Sequence, residues 1–129
     1  MSYVTLHFRT EPSCGLRGET TNSTFARMTY DPHAVLRDAV LESVLRGTGQ
    51  SDPETRMAAA ADAGLPADLR PLVGKIHRNA YKVTDEDVAG AQAVYGDDAL
   101  FEIIVSAALG ASDQRLRAGL EALEALDRA

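Results

Sequence analysis

The sequence predicts an all-α protein, and two observations carry that prediction. From residue 31 onward, apolar residues recur at spacings of three and four, the period of an amphipathic helix. The same region contains helix-start signals, in which Ser, Thr or Asp precedes Pro or acidic residues, and glycines that follow the periodic runs. We therefore expect a small helical domain of about five to six helices over residues 31–129.

Residues 1–30 lack this period and are expected to form an extended N-terminal arm outside the helical domain. Alternating side chains at positions 3–8 favour one short strand there. The arm is weakly basic, whereas the rest of the chain is acidic. Met28 is a candidate alternative start, which would make everything before it an upstream addition.

The first two predicted helices precede residue 65. Asp31-Pro32 indicates a helix start, because proline is tolerated at the first helical position, and Gly47 and Gly49 are expected to end this helix. Ser51-Asp52-Pro53-Glu54 matches a capping box, which would begin a short alanine-rich helix that ends at Gly64.

Three further helices complete the predicted domain. Leu65-Pro66 turns the chain into a third helix over about residues 67–80. Thr84-Asp85-Glu86-Asp87 indicates the start of a short fourth helix, since acidic residues in a first turn interact favourably with the helix dipole; Gly96 ends it. The fifth helix starts at Asp97-Asp98 and is the longest, with or without a break between 110 and 113.

The fifth helix is apolar nearly all round between Leu100 and Ala111. At the surface of a small monomer, such a helix would expose one apolar side to water. Two interpretations are open and can coexist: the helix is central in the core, or a second subunit covers it. Small residues in this stretch would let a neighbouring helix approach closely; they are Ser106, Ala107, Ala108, Gly110 and Ala111.

Composition excludes several classes of function. The 129 residues carry a formal net charge of −6, whereas nucleic-acid binding requires clustered Lys and Arg, so no nucleic-acid partner is expected. Cys14 is the single cysteine and His7, His33 and His77 are scattered, so we expect no disulfide, metal site or cofactor. With no secretory signal and no apolar run near the roughly 20 residues that span a bilayer, no membrane partner is expected, and the expected location is the cytoplasm.

From residue 65 onward, the stretch LPADLRPLVGKIHRNAYKVTDEDVAGAQAVYGDDALFEIIVSAALGASDQRL resembles a known family. The similar features are the run from Val83 to Val88, the turn at Gly96-Asp97-Asp98, and the alanine-rich helix from Leu100 followed by Arg115. They resemble the second half of the carboxymuconolactone decarboxylase and alkylhydroperoxidase-D-like superfamily. The resemblance implies an alkylhydroperoxidase-D-like fold and a homo-oligomer (a dimer, trimer or hexamer) associated through its helices.

The resemblance does not extend to the redox site of that superfamily. Peroxidase-type members use Cys-x-x-Cys followed by His, because one thiolate attacks the peroxide and the second resolves the sulfenic acid. This chain has only Cys14, which lies outside the region of resemblance. We therefore expect a non-redox member without dithiol peroxidase activity.

Decarboxylase-type members act by acid–base chemistry on a lactone, which leaves a second possibility. His77 and Tyr81 are four residues apart and would share a face of the third helix, where His77 could move a proton. Glu102 is the acid most expected to be partly buried, and burial would raise its pKa. Three nearby cations could hold a substrate carboxylate; they are Lys75, Arg78 and Lys82.

A structural alternative stands beside each of these candidates. His77 would lie at the surface or at the edge of the core, and the three cations would form a solvated face. Glu102 would lie in an early turn of its helix, where an acid is favourable, or pair with an arginine.

Three hypotheses therefore remain open from the sequence. The first is a non-redox oligomeric protein that serves as an accessory or partner subunit, alone or with a partner enzyme. The second is a cofactor-free decarboxylase or isomerase that acts on a small carboxylated lactone or related acid through His77, Tyr81 and Glu102. The third is a helical regulator or adaptor unrelated to the superfamily.

Overall fold

Five α-helices follow one another along residues 31–129, which are the residues that this computed structural model describes. They are α1 (Ala34–Arg46), α2 (Pro53–Ala61), α3 (Arg70–Asn79), α4 (Asp85–Tyr95) and α5 (Asp97–Asp127). A 3₁₀ turn, Ala80–Lys82, follows α3, and no strand occurs within 31–129. The all-α prediction is confirmed for this part of the chain. The predicted arm and strand, Cys14 and Met28 lie outside the described residues.

The first half of α5 forms the centre of the core. It packs chiefly against α2 and α3, and its buried residues recur at spacings of three and four. Burying a leucine or isoleucine side chain contributes about 1.5–3 kcal/mol, so this face is a main source of stability. The buried apolar residues that contact one another are Ala59, Leu65, Leu69, Leu72, Val73, Ile76, Ala91, Leu100, Ile103 and Ala107.

The small residues of α5 allow α2 to approach closely. A Cβ atom added at Gly110 would overlap the backbone of Ala60, both at its carbonyl oxygen and at its Cα. Ser106 is fully buried, and its hydroxyl donates to the carbonyl oxygen of Glu102 one turn earlier at 2.7 Å. The neighbour that these small residues admit is thus a helix of the same chain, as the central-helix interpretation requires.

Two predicted helix starts are observed, that of α4 and that of α5, which begins at Asp97 as expected. Thr84 Oγ1 accepts from the backbone N–H of Asp87, and the Asp87 carboxylate accepts from the backbone N–H of Thr84 at 2.9 Å, so the predicted start of α4 is confirmed. The predicted capping box at Ser51 is wrong, because Asp52 is the N-cap and makes no side-chain cap bond. The predicted start at Asp31 is also wrong, since α1 begins at Ala34.

One helix end differs from the prediction, and the end of α3 agrees with it to within one residue. α2 ends at Ala61 rather than Gly64, because Asp62 takes a left-handed conformation (φ 52°) and its N–H caps the helix. α3 ends at Asn79, whose φ of −150° and ψ of 62° are not helical. α5, in contrast, runs through residues 110–113 without a break.

Candidate functional site

Glu102, one of the predicted acid–base residues, is the centre of a hydrogen-bonded cluster between α5 and the start of α2. Its carboxylate accepts from the backbone N–H groups of Gln50 and Ser51, each at 2.8 Å, and from the Ser51 hydroxyl at 2.6 Å. The buried Arg56 guanidinium adds a fourth donor at 3.2 Å. Arg56 also donates to the carbonyl oxygens of Leu45 and Gly47, so the cluster fixes the loop between α1 and α2.

The cluster shifts the pKa of Glu102 in the direction opposite to the expected one. The Ser51 hydroxyl first, then the Gln50 and Ser51 backbone N–H groups, hold the pKa of Glu102 at about 2. The expectation that burial would raise this pKa is wrong, because donors to the charged form outweigh desolvation. The alternative in which Glu102 pairs with an arginine is confirmed by Arg56.

His77 and Tyr81 do not share a helix face, contrary to the prediction. His77 lies in α3, whereas Tyr81 lies in the 3₁₀ turn after the helix has ended at Asn79. The His77 ring is half-buried and its Nε2 atom lies 2.8 Å from the carbonyl oxygen of Ala59. A carbonyl only accepts, so Nε2 donates and ties α3 to α2. Tyr81 is 82% exposed.

The three cations predicted to hold a substrate carboxylate make separate contacts. Lys75 Nζ donates to both carboxylate oxygens of Asp87, at 2.7 and 2.5 Å, and this lowers the pKa of Asp87. Arg78 Nη1 pairs with Asp62 at 2.9 Å. Lys82 Nζ lies 5.6 Å from the centre of the Tyr81 ring, a cation–π distance. Two of the three cations thus have acidic partners from α4 and from the cap of α2.

The structure does not bring the three predicted catalytic residues together. No hydrogen bond or ion pair joins any two of His77, Tyr81 and Glu102. Arg115, which donates to the His77 carbonyl oxygen at 2.6 Å, follows Glu102 by thirteen residues, or about 20 Å along α5. Within residues 31–129, no group of three or more His, Cys, Asp or Glu side chains is arranged to hold a metal ion.

A small polar groove lies beside the Glu102 cluster, between the start of α2 and the end of α4. Its volume is about 260 Å³, and Ser51, Asp52, Thr55 and Tyr95 contribute polar atoms to its wall. Burial raises the pKa of the Tyr95 phenol, and the neighbouring Asp68 carboxylate adds to this rise. The Ser51 hydroxyl, which lines this groove, donates to the Glu102 carboxylate and is therefore already part of the cluster.

The most unusual surface of the described chain is apolar and lies on α1 and the second half of α5. No residue of α1 is buried, and Val35, Leu36 and Val40 are large apolar side chains exposed on it. Every residue from Gln114 to Ala129 is exposed. The four leucines of this segment, Leu116, Leu120, Leu123 and Leu126, are between 42% and 72% exposed.

We call Leu109, Leu116, Leu120, Leu123 and Leu126 the outer stripe. At 3.6 residues per turn, its members follow one side of α5, which faces away from the buried Ile103, Ala107 and Gly110. A groove of about 360 Å³ between α1 and α5 continues the outer stripe, with almost entirely apolar walls. Its apolar lining consists of Leu36, Val40, Leu41, Leu109 and Leu116.

The sequence contains a signal for this surface, because leucines continue at helical spacing from Leu116 to Leu126. Periodic leucines by themselves predict a continued amphipathic helix and do not indicate what packs against it. Charged residues border the groove: Asp113 lies 2.6 Å from Arg117 and 3.9 Å from Arg37. The candidate functional site is therefore an exposed surface with an apolar centre and a charged edge.

None of the helices in residues 31–129 combines the length and the apolar character needed to cross a membrane. Compared with protein-family models, with curated proteins and with solved structures, the chain gives no significant match.

Proposed function

We propose that this protein is a self-associating helical subunit, a non-redox accessory or partner protein that acts by binding rather than by catalysis. The observation that carries the proposal is the exposed outer stripe together with the apolar groove beside α1. Contiguous apolar surface of this kind is typical of protein–protein interfaces, since exposing it to water is unfavourable.

The length of the exposed segment of α5 also supports the proposal. An isolated helix is marginally stable in water, because helices in proteins derive most of their stability from tertiary packing. From Gln114 onward α5 extends beyond the core, and none of its residues is buried. A second helix packed on the outer stripe would supply the missing tertiary contact.

The resemblance to the carboxymuconolactone decarboxylase and alkylhydroperoxidase-D-like superfamily is part of the same proposal. It rests on residues 65–116, and the all-α architecture is compatible with it. Members of that superfamily associate through their helices, which agrees with an exposed helix face. The fold assignment and the non-redox character remain predictions from the sequence.

The acid–base enzyme receives less support from the geometry. Glu102 is held ionised by four donors, and His77 is bonded to a backbone carbonyl oxygen. Tyr81 does not line either of the grooves described above. Glu102 and His77 thus make structural contacts and Tyr81 is exposed, so the geometry gives no specific reason to choose catalysis over association.

The experiment that tests the proposal measures the molar mass of the purified protein by light scattering across a range of concentrations. We expect a homo-oligomer, and Leu116→Glu or Leu120→Glu should shift it to the mass of one chain, because a buried unpaired carboxylate is unfavourable. Ala118→Glu is the matched control, since Ala118 is exposed on another side of α5. A protein that is monomeric at every concentration would contradict the proposal.

A further inference from the structure

The charges of the α5 tail, which we define as residues 112–127, are divided along its length. The first half of the tail contains Arg115 and Arg117 together with one acid, Asp113, which pairs with Arg117 and leaves this half with a net positive charge. The second half contains Glu121, Glu124 and Asp127. Arg128, just after the tail, is an exception to this division; its guanidinium donates to the carbonyl oxygen of Glu124. The apolar outer stripe runs through both halves, so by itself it does not favour a parallel or an antiparallel orientation of a second helix.

From this division we infer that the outer stripe binds the α5 tail of a second copy of the chain in antiparallel orientation, with the two tails crossing near Gly119 and Leu120. The inference rests on the proposed function and specifies its partner. In an antiparallel pair the basic half of each tail faces the acidic half of the other. In a parallel pair, basic faces basic and acidic faces acidic, which is unfavourable.

The antiparallel register also matches the leucines. With the crossing between residues 119 and 120, Leu116 of one copy lies beside Leu123 of the other, and Arg115 lies at the level of Glu124. The two tails then overlap over about 24 Å, at a rise of 1.5 Å per residue. The same pairs occur twice, because a twofold axis relates the copies.

The acidic half of the tail makes no close ion pair within residues 31–129, although Glu121 interacts electrostatically with Arg117 four residues earlier. Glu121, Glu124 and Asp127 form no close ion pair with any residue of 31–129. Arg117 pairs with Asp113 one turn earlier, yet its side chain is 63% exposed and faces solvent. These exposed charges are free to meet those of a second copy at the rim of the interface.

Gly119 gives a further indication of the crossing point. Glycine disfavours a helix interior relative to alanine, so a glycine within α5 calls for a packing reason. Packing within the chain does not supply one, because a Cβ atom added at Gly119 would meet no other atom within 4 Å. At the proposed crossing, the missing side chain lets Leu120 of the second copy pack against the helix backbone.

The groove beside α1 fits the end of the second tail. In the antiparallel register, Leu126 of the second copy reaches the level of Asp113, where the groove between Leu109 and Leu116 is open. Leu36 and Val40 of α1 form the opposite wall of this groove. Each tail would thus contribute leucines to the other copy's groove, which explains why α1 exposes its apolar side chains beside α5.

Cysteine cross-linking tests the orientation directly. In full-length chains that carry Cys14→Ser, Leu116→Cys and Leu123→Cys are made separately, given tags of different size, mixed and oxidised. The antiparallel pair predicts that cross-links between positions 116 and 123 exceed the 116–116 and 123–123 products at least fivefold. A predominance of same-position products would overturn the inference, because it would show a parallel pair.

Two further outcomes separate this inference from the proposed function. If light scattering shows an oligomer but neither mixed nor same-position cross-links form, the tail is not the interface; the inference fails while self-association stands. If the protein is monomeric, both fail, and a helix of a different protein becomes the occupant of the outer stripe.

Charge reversal gives an independent test. Arg115→Glu/Arg117→Glu and Glu121→Lys/Glu124→Lys should each raise the dissociation constant about tenfold, and mixing the two should restore association to within about threefold of the original. The far-UV circular dichroism of each variant checks that the domain folds, since Arg115 also bonds the His77 carbonyl oxygen. Mixing that restores nothing would overturn the antiparallel arrangement.

Discussion

The two halves of α5 use apolar residues in different ways. In the first half, Leu100, Ile103 and Ala107 are buried against α2 and α3, and Gly110 admits the backbone of α2. In the second half, Leu116 and Leu120 follow the opposite side of the helix and are exposed. One continuous helix therefore has an inward face at its start and an outward face at its end.

The two faces of α5 differ in how narrowly they restrict the helix that can pack against them. The first half combines small residues, a close backbone approach and the four-donor cluster at Glu102, a combination that fits one neighbour only. The second half combines leucines with a simple division of charge, which specifies orientation more than shape. The first half is suited to fix the fold, and the second half to associate.

The largest expected effect comes from breaking the polar cluster of the first half. Arg56→Met should lower the free energy of unfolding by about 3 kcal/mol, because Glu102 and the carbonyl oxygens of Leu45 and Gly47 lose a buried donor. Urea unfolding followed by far-UV circular dichroism measures this change.

Arg46→Met is the matched control for Arg56→Met. Arg46 also pairs with a glutamate, Glu42, at 3.3 Å, but both side chains are more than 60% exposed. An exposed pair of this kind contributes at most about 0.5 kcal/mol, so this variant should unfold almost like the original protein. Equal losses in the two variants would show that the Arg56 cluster does not hold the α1–α2 loop to α5.

A smaller effect is expected from adding one methyl group to each half of α5. Gly110→Ala should cost about 2 kcal/mol, because the new Cβ overlaps the backbone of Ala60, which cannot move without displacing α2. Gly119→Ala meets open space within the chain and favours the helix, so it should not destabilise the isolated fold. Thermal unfolding compares both variants in the monomeric Leu120→Glu background, so that contacts with a second copy do not contribute. A loss of equal size at Gly119 in that background would contradict the division of α5.

The helix pattern was predictable from the sequence wherever the signal is local. Thr84 and Asp87 are three residues apart and cap α4 together, so the start of that helix could be identified directly. The start of α2 could not, because the Ser51 hydroxyl bonds Glu102, a residue 51 positions away. A local capping pattern cannot reveal that a distant carboxylate competes for the same hydroxyl.

The candidate site illustrates the same limit. The sequence showed Glu102 as an acid in an apolar helix, but the direction of its pKa depends on donors from another segment. His77 and Tyr81 were expected on one face, and the backbone of Asn79 separates them. The helical spacing of the tail leucines can be read from the sequence. Whether a helix of the same chain covers them depends on how α1 to α4 pack, which the sequence pattern does not specify.

The smallest expected effect concerns the acid stability of the Glu102 cluster. The pKa of Glu102 is lowered from 4.5 to about 2 on folding, so the carboxylate stabilises the fold fully above pH 4.5 and loses this contribution as pH falls toward 2. The difference in unfolding midpoint between the original protein and Glu102→Gln should therefore stay constant above pH 5 and shrink below about pH 4.5. Both proteins have the other carboxylates and the α5 tail, so the effects of those groups cancel in this difference.

Ser51→Ala removes the strongest donor to Glu102, which should raise the pKa of Glu102 and move the loss of stability to higher pH. A difference that does not change between pH 6 and pH 2.5 would show that the cluster does not depend on the charge of Glu102.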